Sequence, residues 1–386
     1  MNLGVVVLLV LLTGSITSIL TRRFNIAYTR LLVFIGLLIS IVYSVVGTPA
    51  RELTGEAIIS VVLPPLVFQA ALAMNYAVFK KVQRPVILLA VVSVAISAIV
   101  CSVIVSSLTG FSLIAALAFG VIISPTDTAS VIDTLKRVKP PEELATIIEG
   151  ESLLNDATAL ALFSAVSALT LNPIIQAFEV ATKFVGGAVV GLALAFIANR
   201  LTRLMADKNA QVMITISAAY GSYMLADTLN FSGIVAVAVL GLYVGRYHQE
   251  SESASRNSFL LDFWDMAAFI ANTAAFMFIG LAAQVLEILQ YVPLIILCSV
   301  AVLVARYISI QAVLVPTSRL VGTFPRSWRN VVCLGGIRGA VSAALALALP
   351  EFPFKSAIVA ITFGVILLSL LVQTRVFSYY VAKTLR

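Results

Sequence analysis

Charged residues are scarce in this chain. Only 11% of its 386 residues are Asp, Glu, Lys or Arg, whereas 61% are hydrophobic. An average soluble domain has about 25% charged and about 45–50% apolar residues. The mean hydropathy is +1.07. This deficit of charge excludes an ordinary soluble globular protein and predicts an all-α polytopic membrane protein, because a helix satisfies its own backbone polar groups within lipid.

Histidine and cysteine are scarce as well. The single histidine, His248, lies in a polar stretch, and Cys101, Cys298 and Cys333 lie in or beside apolar segments without the spacing of metal ligands. We interpret the cysteines as small apolar packing residues. No aspartates are paired in a protease-like arrangement, so an intramembrane enzyme has little support and no cofactor is expected.

Apolar segments of spanning length fill the chain. A helix needs about 20 predominantly apolar residues to cross a bilayer, and division of the sequence at its charge clusters and Pro/Gly breaks gives thirteen such segments. They are residues 3–20, 29–47, 56–74, 84–108, 112–137, 142–170, 173–202, 209–228, 231–247, 258–285, 289–317, 328–349 and 354–382. We therefore predict thirteen transmembrane helices in one membrane domain that spans 1–386.

Basic residues are concentrated in alternate loops. Of the 25 Lys and Arg, 20 fall in these loops and in the C-terminal tail, as in the loop with Lys80, Lys81 and Arg84, whereas the intervening loops offer only Arg51 and Lys355. The positive-inside rule then predicts a multi-pass protein of the cell membrane with its N-terminus outside and its C-terminus in the cytoplasm. The net charge of +7 reflects these loops and not a nucleic-acid site.

The odd number of segments favours two halves of opposite topology joined by one helix. The first inverted repeat would be 1–170, the linker helix 173–202 and the second repeat 209–386. Such repeats are common among secondary transporters, where the binding site lies at the interface of the repeats near the middle of the membrane.

Each half has a break in its fifth segment, which makes crossing helices 5 and 12 discontinuous. The first break is Ser124-Pro125-Thr126-Asp127-Thr128, and the second is Gly335-Gly336-Ile337-Arg338-Gly339. A proline kink and a glycine-rich packing face are the structural alternative. Charge at both breaks favours an ion site, since Asp127 can face the positive end of one half-helix and Arg338 the negative end of another.

The sixth segment carries three carboxylates, Glu149, Glu151 and Asp156, beside one of the most apolar stretches of the chain. A carboxylate near the middle of a bilayer costs about 2.5–3.5 kcal/mol on insertion scales, so it is kept where it faces protein or water. Helical spacing puts Ser152 and Asp156 on one face, with Glu149 close to that face, and pairs Glu151 with Asn155 on a neighbouring stripe. One wall of this helix is therefore polar.

The oxygen atoms of Ser152, Asp156, Thr126 and Asp127 are hard donors of the type that an alkali cation prefers. Their number suits a monovalent ion better than calcium. Proton and cation then compete for Asp156, and a protein that switches sides only when this carboxylate is occupied trades one for the other. With Asn155 beside Asp156 in place of a second acid, the simplest stoichiometry is one for one and electroneutral.

Glu151 is better interpreted as structural, because an intramembrane carboxylate is stabilised most readily by an intramembrane arginine. Arg306, in the eleventh segment, is the first candidate partner, and Arg338 is the second. This ion pair would fix the helix that carries Asp156.

Four motifs resemble those of the sodium/proton antiporters in the electroneutral cation/proton antiporter family, the NhaP and NHE type. They occur in the order and spacing typical of the family, and the resemblance covers essentially the whole chain. The motifs are Ser124-Pro125-Thr126-Asp127, Gly150-Glu151-Ser152-Leu153-Leu154-Asn155-Asp156, Ala305-Arg306 and Gly335-Gly336-Ile337-Arg338-Gly339-Ala340.

The resemblance implies an inverted-repeat fold, in which helices 4–6 and 11–13 form a moving core and the other helices a dimerisation domain. It further implies elevator-like alternating access in a homodimer. The implied carrier of cation and proton is Asp156, and the implied sodium ligands include Ser152 and Thr126. Asp127 and Asn155 would also line the site.

The chain departs from the family at Gln69. Family members often have an acid in the third helix after a Leu-Pro-Pro sequence, and here Leu63-Pro64-Pro65 leads to Gln69. A neutral amide can still donate an oxygen but removes a charge from the site, so the sequence leaves the choice between sodium and potassium, and the operating pH, open. Glu149 and Asp127 could each add a second titrating group. The sequence ends at Arg386 soon after the last predicted span, and we expect no cytoplasmic regulatory domain of the kind that many relatives carry.

The sequence therefore predicts a secondary antiporter that exchanges sodium, with lithium or potassium as alternative cations, for protons. A potassium-preferring antiporter is one alternative. A cation or proton channel that uses the same polar seam is another, and it would conduct without obligatory exchange.

Overall fold

A computed structural model of the chain describes residues 3–24, 27–46, 55–127, 129–167, 173–205, 207–250, 254–317, 324–351 and 354–385. These residues form helices and connecting segments, with no strand among them. Arg51, Thr128 and Arg386, which enter the sequence predictions, lie outside the described residues. The helices are α1 (Leu3–Phe24), α2 (Tyr28–Val46), α3 (Gly55–Ala73), α4 (Tyr76–Thr109), α5 (Leu113–Ile122), α6 (Ala129–Val138), α7 (Glu142–Ser167), α8 (Pro173–Leu204), α9 (Lys208–Thr228), α10 (Gly233–Glu250), α11 (Ala254–Ala282), α12 (Val285–Gln290), α13 (Val292–Leu314), α14 (Arg326–Leu334), α15 (Ala340–Leu347) and α16 (Lys355–Thr384).

Long apolar helices and an apolar surface identify a multi-pass membrane protein. By length and composition, five helices of the described part can each cross a membrane: Tyr76–Thr109, Phe178–Leu204, Phe259–Ala282, Val292–Leu314 and Lys355–Thr384. Large apolar side chains face outward, and Phe178 is 73% exposed. A surface of this kind is stable against lipid and would associate in water.

The predicted segments overlap helices along the chain, and the largest difference in where a helix begins is at α4. This helix begins at Tyr76, so Lys80, Lys81 and Arg84 lie within it and the prediction of a loop there is wrong. Asn75 caps the helix, because its side-chain oxygen accepts hydrogen bonds from the N–H groups of Ala77 and Val78 at 3.0 and 3.3 Å. The sequence prediction placed the start of this helix at residue 84 because it relied on charge alone, and that start is too late.

Helix packing divides most of the described helices into two groups. The site group consists of α4–α7 and α13–α16, where α4 packs on α5, α7 and α13, and α16 packs on α6, α13, α14 and α15. The flanking group consists of α1–α3 and α8–α11, where α11 packs on α2 and α3, and α10 packs on α3, α8 and α9. The groups meet along a seam where α7 and α15 contact α3, α10 and α11.

Candidate ion-binding site

The first break separates α5 from α6. Residues 124–127 run without helical structure between the end of α5 at Ile122 and the start of α6 at Ala129. Pro125 has no N–H and disfavours the helical conformation for the residue before it. The Asp127 Oδ1 accepts a hydrogen bond from the N–H of Ala129 at 3.3 Å. Its carboxylate therefore lies at the N-terminal end of α6, where the helix dipole favours negative charge.

Arg338 lies against the opposite end of this break. The side chain is only 2% exposed, and its Nη1 donates to the carbonyl oxygens of Ser124 and Pro125 at 2.6 and 3.2 Å. These carbonyls follow the C-terminal end of α5, where partial negative charge accumulates and intrahelical partners are missing. The guanidinium thus supplies donors that a broken helix lacks.

The second break, between α14 and α15, packs directly on the first. The N–H of Asp127 donates to the carbonyl oxygen of Ile337 at 2.7 Å. A Cβ added to Gly339 would lie 2.4 Å from the Cβ of Asp127, so only glycine permits this approach. Gln373 of α16 provides hydrogen bonds to the backbone of the second break, since its Nε2 donates to the carbonyls of Leu334 and Gly336 at 3.0 and 3.1 Å.

Helix α7 fixes Thr126 in the first break through two side chains. The Ser152 hydroxyl donates to the backbone carbonyl of Thr126. The Nδ2 of Asn155 donates to Thr126 Oγ1 at 2.7 Å and to Glu151 Oε1 at 3.1 Å, and its Oδ1 accepts from the N–H of Thr126 at 3.4 Å. Asn155 is fully buried. It is not among the described residues that line the cavity described next, although it contacts Thr126, which lines it.

A cavity of about 120 Å³ lies where the two breaks, α3 and α7 meet. Asp156 and Asp127 line it and are partly buried, and Ser152 and Thr126 line it and are buried. The cavity continues from Asp156 toward the N-terminal end of α7. The described residues that line it are Leu63, Leu66, Val67, Gln69, Ala70, Pro125, Thr126, Asp127, Ala129, Ile132, Glu149, Ser152, Leu153, Asp156, Ala268, Asn272, Gly339, Ala340, Val341 and Ser342. The arrangement can hold a small cation among carboxylate, hydroxyl and carbonyl oxygens.

A buried ion pair lies beside the cavity. Arg306 donates from Nη1 to Glu151 Oε1 and from Nη2 to Glu151 Oε2, both at 2.9 Å, and Nη2 also reaches the carbonyl of Val332 at 3.1 Å. Both side chains are almost completely buried, at 4% and 3% exposed. Since Glu151 also accepts from Asn155, the pair connects α13 to the residue that fixes Thr126.

Gln69 and Glu149 both line the cavity, on α3 and α7. The Gln69 Nε2 donates to Asp265 Oδ1 of α11 at 2.6 Å. The resemblance predicts an acid at position 69. The structure has an amide there, and this amide contacts an acid of another helix, Asp265.

Sequence reasoning missed three polar residues of this region. Asp265 and Asn272 lie within the predicted span 258–285, and the signal that could have identified them is a carboxylate and an amide inside an apolar segment. Gln373 lies where α16 contains a π-helical turn, Ser369–Gln373. Such turns are frequent at functional sites but leave no clear pattern in the sequence.

Comparisons with known proteins agree on one family. The family profile described as "Sodium/hydrogen exchanger, transmembrane" matches residues 7–383. The chain is 32% identical over 381 residues to the Na(+)/H(+) antiporter NhaS2 of Synechocystis sp., an alignment that covers 97% of this chain and 69% of that protein. It is 31% identical over 333 residues to the Na(+)/H(+) antiporter NhaP of Pseudomonas aeruginosa, which covers 82% and 78% of the two chains.

The fold agrees with a solved structure. The sodium proton antiporter MjNhaP1 from Methanocaldococcus jannaschii, solved at pH 8, superposes on the whole chain with a TM-score of 0.82. The alignment covers 100% of both chains at 23% sequence identity. This likeness establishes a shared polytopic helical fold.

Proposed function

The chain belongs to the sodium/hydrogen exchanger family, a family of transporters and not of enzymes, and on that premise we propose that it exchanges sodium for protons at Asp156. One observation carries the proposal: Asp156, Asp127, Ser152 and Thr126 line a single cavity where two broken helices meet. Unwound backbone at membrane depth is stable only where it is buried in protein or lines a cavity.

The oxygen atoms at this site suit a partly dehydrated sodium ion. Ser152 donates its proton to the Thr126 carbonyl, so the lone pairs of its hydroxyl oxygen remain for a cation. Asp156 supplies full negative charge, and Asp127 supplies more from the end of α6. Asn155 acts as a positioning residue, because its hydrogen bonds hold Thr126 against α7.

Exchange follows from competition for one carboxylate. A proton neutralises Asp156 and removes the charge that binds sodium, whereas sodium binding requires the carboxylate to be ionised. If the core moves only when Asp156 is neutralised by one ion or the other, sodium on one side is traded for a proton on the other. One carboxylate with one exchangeable charge gives a ratio of one to one, which is electroneutral.

The two helix groups supply the parts that such a mechanism needs. The site group carries both breaks and Asp156, and it contacts the flanking group along a seam beside the cavity. We assign elevator-like movement to the site group and homodimer contacts to the flanking group. The buried pair of Glu151 with Arg306 and the contacts of Arg338 hold the moving group together.

The repeat organisation and orientation belong to the same proposal. The first inverted repeat is 1–170, the linker helix is 173–202 and the second repeat is 209–386, with thirteen transmembrane helices in all. The N-terminus lies outside the cell membrane and the C-terminus in the cytoplasm. In this orientation the cavity, which extends toward Glu149 and Gln69, faces the cytoplasm.

Purified protein in liposomes tests this function. Sodium is added outside vesicles that contain a pH indicator, with membrane voltage clamped and then unclamped, and the measurement is repeated with lithium and potassium. We expect sodium-driven proton efflux at a rate that does not change with the clamp. A voltage-driven current without a counter-gradient would instead identify a channel, and proton efflux with potassium alone would identify a potassium-preferring antiporter.

A further inference from the structure

Asp265 is a carboxylate inside an apolar helix and outside the proposed carrier site. It lies within Phe259–Ala282, the stretch of α11 that is long and apolar enough to cross a membrane, and its side chain is exposed. A carboxylate in such a stretch is costly unless it faces protein or a water-filled cavity, and it is therefore a candidate for function.

Two observations place Asp265 at the edge of the cation cavity. Ala268 and Asn272, which follow Asp265 at i+3 and i+7 on the same face of α11, line the cavity. Gln69 of α3 also lines it, and the Gln69 Nε2 donates to Asp265 Oδ1 at 2.6 Å. Asp265 thus stands one turn beyond Ala268, toward the N-terminal end of α11.

The cavity extends toward this end of α11, where Glu149 and Gln69 line it. Glu149 precedes Asp156 on α7, and Gln69 lies near Ala73, where α3 ends. The N-terminal ends of α7 and α11 and the C-terminal end of α3 therefore lie on the same side of the protein. A cation that enters from this side meets Asp265 and Gln69 before it meets Asp127 and Asp156.

The charges along this path all have one sign. Asp127, Glu149 and Asp156 line the cavity, and the described lining contains neither lysine nor arginine. A cleft of one sign with walls of low dielectric constant concentrates counter-ions and speeds their arrival. Gln69 uses its amide nitrogen on Asp265, so its amide oxygen is the atom that can accept a passing cation.

We propose that Asp265 is the capture carboxylate of the cytoplasmic cavity: Gln69 holds it at the mouth, where it attracts the monovalent cation and passes it toward Asp127 and Asp156. This role rests on the proposed exchange of cation for proton. It also gives Gln69 a function. The carboxylate that α3 lacks at this position is provided by Asp265 of α11, and the hydrogen bond from Gln69 holds that carboxylate in place.

The variant Asp265→Asn separates this role from simple helix packing. Asparagine keeps an oxygen that accepts the hydrogen bond from Gln69, and it removes only the charge. Sodium–proton exchange of the full chain in liposomes is measured against cytoplasmic-side sodium at low ionic strength. We expect the apparent KM for sodium to rise about 3- to 10-fold, a smaller effect than a whole charged cleft produces. The maximal rate should stay within about twofold, because Asp156 is untouched.

Ionic strength gives a second readout. The Debye length falls from about 30 Å at 0.01 M salt to about 8 Å at 0.15 M, so an impermeant salt screens a charge at the cavity mouth. The difference in KM between the native chain and Asp265→Asn should shrink as this salt is added. A packing defect would give a difference that salt does not change.

Asp262→Asn is the matched control. Asp262 lies one turn earlier on α11 and is exposed, as Asp265 is. Neither aspartate is itself among the described residues that line the cavity, but only Asp265 accepts the hydrogen bond from the cavity-lining Gln69. This variant loses the same charge and should keep the native KM. The double variant Gln69→Glu with Asp265→Asn returns a carboxylate to the cavity and should restore KM to within about twofold of the native value.

Two results would overturn the proposal. One is a native KM in Asp265→Asn, and the other is an equal increase in Asp262→Asn. If the native chain exchanges sodium for protons and either result is found, only the capture role fails. If the native chain shows no exchange with any of the three alkali cations, the proposed function fails and the capture role fails with it.

Discussion

The N–H of Asp127 donates a hydrogen bond to the carbonyl oxygen of Ile337 at 2.7 Å. The two residues belong to the breaks of two different segments, one in each half of the chain. The bond joins the breaks at their backbone, next to a carboxylate that lines the cation cavity. A change of charge in the cavity therefore acts on both pairs of half-helices, and the proposed mechanism requires that they move as one unit.

The contact between the breaks predicts a strong effect of Gly339→Ala. The new Cβ would lie 2.4 Å from the Cβ of Asp127, so the carboxylate or the backbone must shift. We expect sodium–proton exchange to fall about 10- to 100-fold, since a misplacement of about 1 Å can have an effect of that size. The initial rate of sodium-driven proton efflux in liposomes measures it.

Gly221→Ala is the control for a glycine replacement. Gly221 lies in α9, and an added Cβ there meets no atom within 4 Å. Replacement of a helical glycine by alanine lowers the entropy of the unfolded chain and should leave exchange unchanged. Native exchange in Gly339→Ala would contradict the close approach.

The ion pair of Glu151 with Arg306 predicts a large loss of stability in Glu151→Gln. Removal of one partner leaves a buried guanidinium without its carboxylate, which destabilises a protein by about 3–5 kcal/mol. Thermal unfolding of the purified protein in detergent measures the change. The double charge reversal, Glu151→Arg with Arg306→Glu, should recover part of the stability that either single reversal loses.

The pair of Glu351 with Lys355 offers a matched control. The Lys355 Nζ lies 2.6 Å from Glu351 Oε1, but the Glu351 side chain is 90% exposed. An exposed pair contributes about 0–1 kcal/mol, so Glu351→Gln should unfold at nearly the native temperature. Equal losses in Glu151→Gln and Glu351→Gln would show that burial of the first pair has no energetic role.

The Ser152 hydroxyl predicts a defect in cation binding. Ser152→Ala removes an oxygen that lines the cavity and the hydrogen bond that holds the Thr126 carbonyl beside it. Loss of one polar contact to a charged group corresponds to an apparent KM for sodium about 10-fold higher or more. Ser164→Ala is the control on the same helix. Ser164 is exposed, and its hydroxyl donates to the backbone carbonyl of Leu160, one turn earlier, at 2.9 Å. Equal KM values in the two variants would show that the Ser152 hydroxyl does not contribute to cation binding.

The sequence was sufficient for the helical fold and for the position of both breaks. Pro125 and the run of glycines at 335–339 disfavour helix for local reasons, and local rules are readable from sequence. Helical periodicity likewise put Ser152 and Asp156 on one face. The expected membership of the sodium/proton antiporter family is confirmed by the profile that matches residues 7–383.

The remaining features depend on contacts between distant parts of the chain. Gln69 and Asp265 meet across two helices, and no local pattern connects them. Asn155 was expected to line the ion site, and that prediction stays open. Its hydrogen bonds to Thr126, on another element, could not have been predicted from helical periodicity. The start of α4 was predicted too late because the cap at Asn75 outweighs the polarity of its first turns.

Sodium-driven proton efflux from liposomes that contain the Asp156→Asn variant is the most direct test of the carrier role. Asparagine keeps the size of the side chain but can neither ionise nor exchange a proton, so we expect efflux to be abolished while thermal unfolding stays near the native temperature. Asp227→Asn, which changes an acid outside the cavity, should retain exchange. Native exchange in Asp156→Asn would show that Asp156 is not the carrier of cation and proton.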